Sequence, residues 1–172
     1  QSFRERAEAQ ALNGRWREAQ DLWQQAIALD AGHADSHFQL ATSLENLREY
    51  ALARSHYERA LDLDALRFRA DTRINGIIER VAREYDSSNV SFVHSSKGFD
   101  RASAPYAPGW DLLVEHVHYD FSGNAVLARI FARAIARHLS PTTPPKLLKP
   151  EEVAARIGFP NHETIENLKN LQ

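Results

Sequence analysis

The chain repeats itself at an offset of 34 residues, and that period constrains its first third more than any other feature. Phe3 falls on His37, Ala7 on Ala41, Trp16 on Tyr50 and Ala19 on Ala53. Trp23 then falls on Tyr57, Ala26 on Ala60, Leu29 on Leu63 and Asp30 on Asp64. Aromatic returns on aromatic and alanine on alanine, an order that two unrelated amphipathic helices would seldom keep. A helical hairpin explains it. Alanines at matched points let two helices approach closely, and a large ring at Trp23 or Tyr57 fills the groove between neighbouring hairpins. Gly14 follows the first helix, where a left-handed residue closes the turn at little cost to glycine. Arg48 stands at the same point of the second copy, so its turn is less ideal.

A small residue, a turn glycine, an aromatic and paired alanines at these spacings resemble the tetratricopeptide repeat family. Ala31 and Ala65 stand where that family usually has proline. The resemblance implies two stacked helical hairpins over 1–65, used as a scaffold or as a groove for a protein or peptide partner. Two repeats are fewer than an independent solenoid needs. The segment Asp71 to Tyr85 suits a capping helix, because Ile74, Ile77, Ile78, Val81 and Tyr85 recur at three and four and make one apolar face.

Beyond Tyr85 the pattern changes. Asp86 to Asn89 is a polar break, and Val90-Ser-Phe-Val93 has the β-branched and aromatic content of a short strand. His94 to Trp110, with Gly98, Pro105, Pro108 and Gly109, reads as a long irregular loop. Ser122 reads as the N-cap of a helix over Gly123 to Leu139 with Val126, Leu127, Ile130, Phe131, Ala134 and Ile135 on its buried face. Pro141, Pro144 and Pro145 predict a stiff connector. A short helix over Glu151 to Ile157 follows, stopped by Gly158 and Pro160, and Asn161 would cap a last helix to Leu171.

Chemically capable side chains crowd between Asp111 and Asn124, just before a helix. Glu115-x-x-His118 places a carboxylate where a tight turn can fix the tautomer of an imidazole, as a general base requires. An acid, two residues, a His, a spacer and Gly123 before a closing helix resemble the final block of the SGNH (GDSL) hydrolase family. That resemblance covers 66–139. It implies the last strand and helix of a flavodoxin-like sandwich, an ester or acyl substrate, Glu115 as the acid and His118 as the base. The acid is Glu rather than the family's usual Asp. No Gly-Asp-Ser element precedes it, so the resemblance places the nucleophilic serine in a missing N-terminal part of a parent protein and leaves this chain inactive alone. His94 would then line the same cleft, beyond the end of the strand. Ser95 lacks the glycine setting of a nucleophile elbow.

His116, His118 and Asp120 offer a second reading, since alternate residues of an extended segment share a face and His-x-His-x-Asp has three ligands of catalytic-zinc type. In a third, the turn only opens a helix. The favoured reading implies no cofactor.

The sequence therefore predicts a mainly α chain: helical hairpins over 1–65, a partial α/β sandwich over 66–139, and a Pro-rich connector with short helices over 140–172. With 21 Lys and Arg against 23 Asp and Glu, it lacks the basic excess of a nucleic-acid binder. No run reaches the roughly eighteen apolar residues of a membrane span. Cysteine is absent, which removes disulfides and thiolate chemistry. The unpaired edge of Val90 to Val93 points to self-association, as a possible homo-oligomer.

Overall fold

A computed structural model describes residues 2–66, 68–85, 90–139 and 147–159. These residues form eight helices and no strand. The four-residue break after Tyr85, the connector prolines and the helix expected from Asn161 to Leu171 lie outside the described residues.

Helices α1 (Phe3–Leu12) and α2 (Trp16–Leu29) make the first hairpin; α3 (Ala34–Asn46) and α4 (Tyr50–Leu63) make the second. Packing of α2 on α3 joins them. Alanine makes the close approach possible: Ala7, Ala19, Ala26 and Ala53 are buried with Leu22, Trp23, Leu40 and Leu44 in one core. Phe3, Ile27 and Tyr57 pack on its edge. Trp23 is wholly buried, as its place between the hairpins demands.

The two hairpin turns are the same turn. The Arg15 N–H donates to the Gln10 carbonyl at 3.0 Å, and the Glu49 N–H donates to the Leu44 carbonyl at 2.8 Å. Both are the six-to-one bonds of a helix closed by a left-handed residue. That residue is Gly14, with φ +69°, in the first and Arg48, with φ +63°, in the second. Only glycine takes this conformation without a steric penalty.

Helix α5 (Thr72–Glu84) is fastened at its start. The Asp71 carboxylate accepts the Ile74 N–H at 2.7 Å, and Asp62 of α4 accepts the Thr72 N–H at 3.0 Å and its hydroxyl at 2.8 Å. Beyond that start, no side chain of α5 is buried. The face of Ile74, Ile77, Ile78, Val81 and Tyr85 is a helical stripe, but it lies 40–67% exposed.

The second half differs from its expected form in three ways. No strand forms at Val90 to Val93, so the partial flavodoxin-like α/β sandwich over 66–139 is absent and the SGNH resemblance fails with it. The physical reason is pairing: a strand needs a second backbone edge to bond along several residues, and the described residues hold only single bridge positions, at Val90 and between Leu113 and Tyr119. The predicted loop from His94 to Trp110 contains a helix, α6 (Ser95–Ser103). The last long helix, α7 (Phe121–Leu139), is capped by Asp120 rather than by Ser122, with the Gly123 N–H donating to the Asp120 carboxylate at 2.7 Å.

Gly98 reads as a loop residue but serves helix packing. A Cβ there would lie 2.2 Å from Ile130 Cδ1, so its absence lets α6 and α7 meet. Phe99 is buried and stacks on Tyr119 with ring centroids 4.7 Å apart. The short helix α8 (Pro150–Ile157) follows Lys149 and ends on Gly158, φ +67°, as its sequence predicts. Phe159 then stacks on Phe121 at 4.3 Å. Arg54 of α4 clasps this half to the repeats: its guanidinium donates to Asp100 of α6 at 2.6 Å and to the Tyr106 carbonyl at 3.0 Å.

Arg48→Gly tests the shared turn. It removes a left-handed penalty of about 1 kcal/mol, partly offset by a more flexible unfolded chain. The urea midpoint is expected to rise at an unchanged slope, whereas Gly14→Ala lowers it.

Candidate functional site

The turn that enters α7 is built around one carboxylate. The Leu113–Tyr119 bridge closes its base, with the Val114 N–H on the His118 carbonyl at 2.9 Å and the Asp120 N–H on the Leu112 carbonyl at 3.1 Å. Inside that loop Glu115 Oε1 accepts the His118 N–H at 2.7 Å and the Val117 N–H at 3.3 Å. The same oxygen takes the His118 ring at Nδ1, and Oε2 lies 3.1 Å from His116 Nδ1. The His116 ring also packs on Phe68, with centroids 4.6 Å apart.

Glu115 and His118 are thus in contact, as their spacing predicts. Partial burial pushes the Glu115 carboxyl up, but bonds from the His118 amide and ring, the Val117 amide and the nearby His116 together outweigh it and hold the group below its ordinary value. His118 itself projects outward, its side chain 81% exposed. The arrangement fixes a turn: one carboxylate satisfies two backbone donors that would otherwise face solvent, and it orients two rings.

Gly123 explains how the turn meets the helix. A Cβ on it would lie 2.1 Å from the Leu112 carbonyl oxygen and 3.0 Å from Tyr119 Cβ. The glycine in the first turn of α7 is therefore required by close backbone packing.

The metal reading of His116, His118 and Asp120 is corrected. The two rings share Glu115, while Asp120 is spent capping α7. Among the described residues no group of three or more His, Cys, Asp or Glu converges as a metal ion requires. His94 does not join the turn either. It precedes α6, with Nε2 3.5 Å from Glu79 of α5 and its ring edge-on to Phe92 at 4.5 Å. Ser95 opens α6, and Asp100 is held by Arg54. A shallow recess on α5 is lined by Gly76, Glu79, Arg80, Arg83 and Glu84, none of them from the Glu115 turn.

Sequence reasoning missed a second polar cluster. His37 is buried, its ring stacked on His56 with centroids 5.2 Å apart and 25° between planes. The two Nδ1 atoms are 2.9 Å apart. The signal was present, because position 37 repeats the apolar position of Phe3 and so belongs inside.

No family model, curated protein or solved structure matches the chain. The tetratricopeptide resemblance is thereby reduced to what the helices themselves display, which is stacked hairpins at a 34-residue period. The SGNH resemblance, and the ester or acyl hydrolysis it implied for Glu115 and His118, is overturned by the described residues, whose regular elements are all helices with no strand.

Two substitutions separate the parts of this turn. Gly123→Ala is expected to cost about 3 kcal/mol in urea unfolding, since the obstructing atom is backbone and cannot rotate away. Glu115→Ala leaves the helices intact and speeds amide exchange at Val117 and His118 several-fold. Because the Glu115 carboxyl sits below its ordinary value, the protection it gives is present above roughly pH 4.3 and fades as pH falls through the lowered value. Exchange measured from pH 6 to 3 checks that order.

Proposed function

We propose that this chain is a helical scaffold that binds a partner protein through the apolar face of α5. The observation that carries the reading is the stripe of Ile74, Ile77, Ile78, Val81 and Tyr85, held half exposed on a helix whose start is bonded to the repeats. An apolar face of this kind favours an occupant, because each large side chain removed from water gains about 1.5 kcal/mol or more. Helical docking is the mode it suits, with anchors at spacings of three and four.

Charge narrows the occupant. Glu79 pairs with Arg83 on the same helix, which leaves Arg73 and Arg80 against Glu84 along the flanks. A partner helix with apolar anchors and acidic flanks complements that edge. The stacked hairpins support the same reading, since they supply a rigid base from which α5 is presented. No described helix is long and apolar enough to cross a membrane, so the stripe has no role as a span.

The test is a photo-crosslinking residue at position 78 in cells that make the chain, with adducts identified by mass spectrometry. One discrete protein adduct is expected. The double variant Ile77→Glu, Val81→Glu should lose it, with affinity for the identified partner down about a hundredfold for two anchors removed. Circular dichroism should stay unchanged, because neither residue is buried. A folded chain whose position 78 meets only solvent overturns the proposal, and an adduct to a second copy assigns the face to self-association instead.

A further inference from the structure

Three imidazoles gather where α3 begins, and every one of them that accepts a bond does so at a nitrogen that must be unprotonated. His33 is the residue before α3, and its Nδ1 accepts the Ser36 N–H at 3.1 Å. The Ser36 hydroxyl lies 2.9 Å from the same atom. Four residues on, His37 Nε2 is 3.3 Å from the Ala31 carbonyl. A carbonyl can only accept, so that nitrogen carries the hydrogen and His37 Nδ1 is the bare one. His56 Nδ1–H of α4 therefore donates to it across 2.9 Å. Ser36 and His37 are both more than nine-tenths buried.

We propose that His33, His37 and His56 form an acid-sensitive latch: neutral, they cap α3 and tie it to α4, and protonated they release the second hairpin. A proton on His33 Nδ1 turns the cap acceptor into a donor facing the Ser36 N–H. A proton on His37 Nδ1 sets two donors against each other at hydrogen-bond distance. Both charges would also sit at the positive end of the α3 dipole, where cations are disfavoured. The stacked rings of His37 and His56 make a double charge costlier still.

Nearby charges do not relieve this. In the turn before α3, Asp30 is engaged by the Gly32 N–H at 3.0 Å, and Asp35 on α3 accepts from Gln39 at 3.3 Å. At the α4–α5 joint, Asp62 holds Thr72 and Asp71 caps α5. Arg59 of α4, a turn beyond His56, adds positive charge. No ion pair joins any of the three rings to a described carboxylate. Partial burial, and then the charge of His37, lower the proton affinity of His56 below its ordinary value of 6.5. The unfolded chain thus takes up the proton first, so the stability from a neutral His56 is whole above about pH 6.5 and is lost as pH falls below it.

This device is independent of what α5 binds, and it is tested without a partner. Urea unfolding of the whole chain from pH 7.5 to 5 should show the unfolding constant rising below pH 6.5, by roughly tenfold per pH unit for each proton taken up. His33→Asn keeps a cap acceptor that does not titrate. His37→Gln keeps a donor for Ala31 and an acceptor for position 56, and His56→Gln keeps a donor across that bond. The triple variant should lose most of the rise. His116→Gln with His118→Gln, at the α7 turn, should keep it in full. Should the triple variant fail to fold, amide protection of α3 in the unaltered chain decides, since its protection factors, taken against the intrinsic rate at each pH, must fall between pH 7 and 5 ahead of those of α2. Stability unchanged from pH 7.5 to 5, or a rise retained in the triple variant, or α3 protection factors no lower at pH 5, each overturns the latch.

Discussion

Close approach between helices is the constraint on which the repeat half depends. Ala7, Ala19, Ala26, Ala41, Ala53 and Ala60 are all buried, and each marks a place where a longer side chain would push two helices apart. Narrow spacing then lets a few large residues do the filling. Trp23, Leu40 and Leu44 are almost wholly enclosed, the indole although its N–H finds no acceptor among the described residues. An unpaired buried donor is costly. The ring's bulk between the hairpins offsets that cost.

The same constraint explains why this half was legible in the sequence. A contact that tolerates only alanine recurs as alanine, and a turn that needs a left-handed residue recurs at a fixed place. Gly14 announced that turn directly, while Arg48 could be read only by its register with Gly14, and its φ of +63° agrees. His37 was legible as interior from its register with Phe3, but its bond to His56 was not. A buried imidazole needs partners for two nitrogens, and nothing in a single sequence says which residue on the next helix provides them.

The second half was misread where local pattern and tertiary pairing part company. Val90, Phe92 and Val93 carry strand-type side chains, yet a strand is a relation between two backbones, and propensity cannot supply the second one. Gly98 misled in the opposite direction. Glycine inside a polar stretch reads as a break, whereas here it is the contact residue of a helix, cut to fit Ile130. The Glu115-x-x-His118 turn was located correctly, and its contact is there. Its meaning was borrowed from a sandwich that these helices do not build. A carboxylate three residues before a histidine is equally the way to close a loop, because one oxygen can reach an amide and a ring together.

Cohesion in this molecule is unevenly divided, and the division follows chemistry. The first hairpin and its join to α3 rest on apolar volume, which no ordinary change of solution alters greatly. The start of α3 and the clasp of α4 on α6 rest on an imidazole and a guanidinium, and the His37–His56 bond adds to the apolar contact of Leu40 and Leu44 with Ala53 that already joins α3 to α4. Bonds of that type depend on protonation and salt. Helix α5 hangs from the same region through Asp62 and Thr72. Whatever loosens the second hairpin therefore acts on the base that presents the exposed α5 stripe.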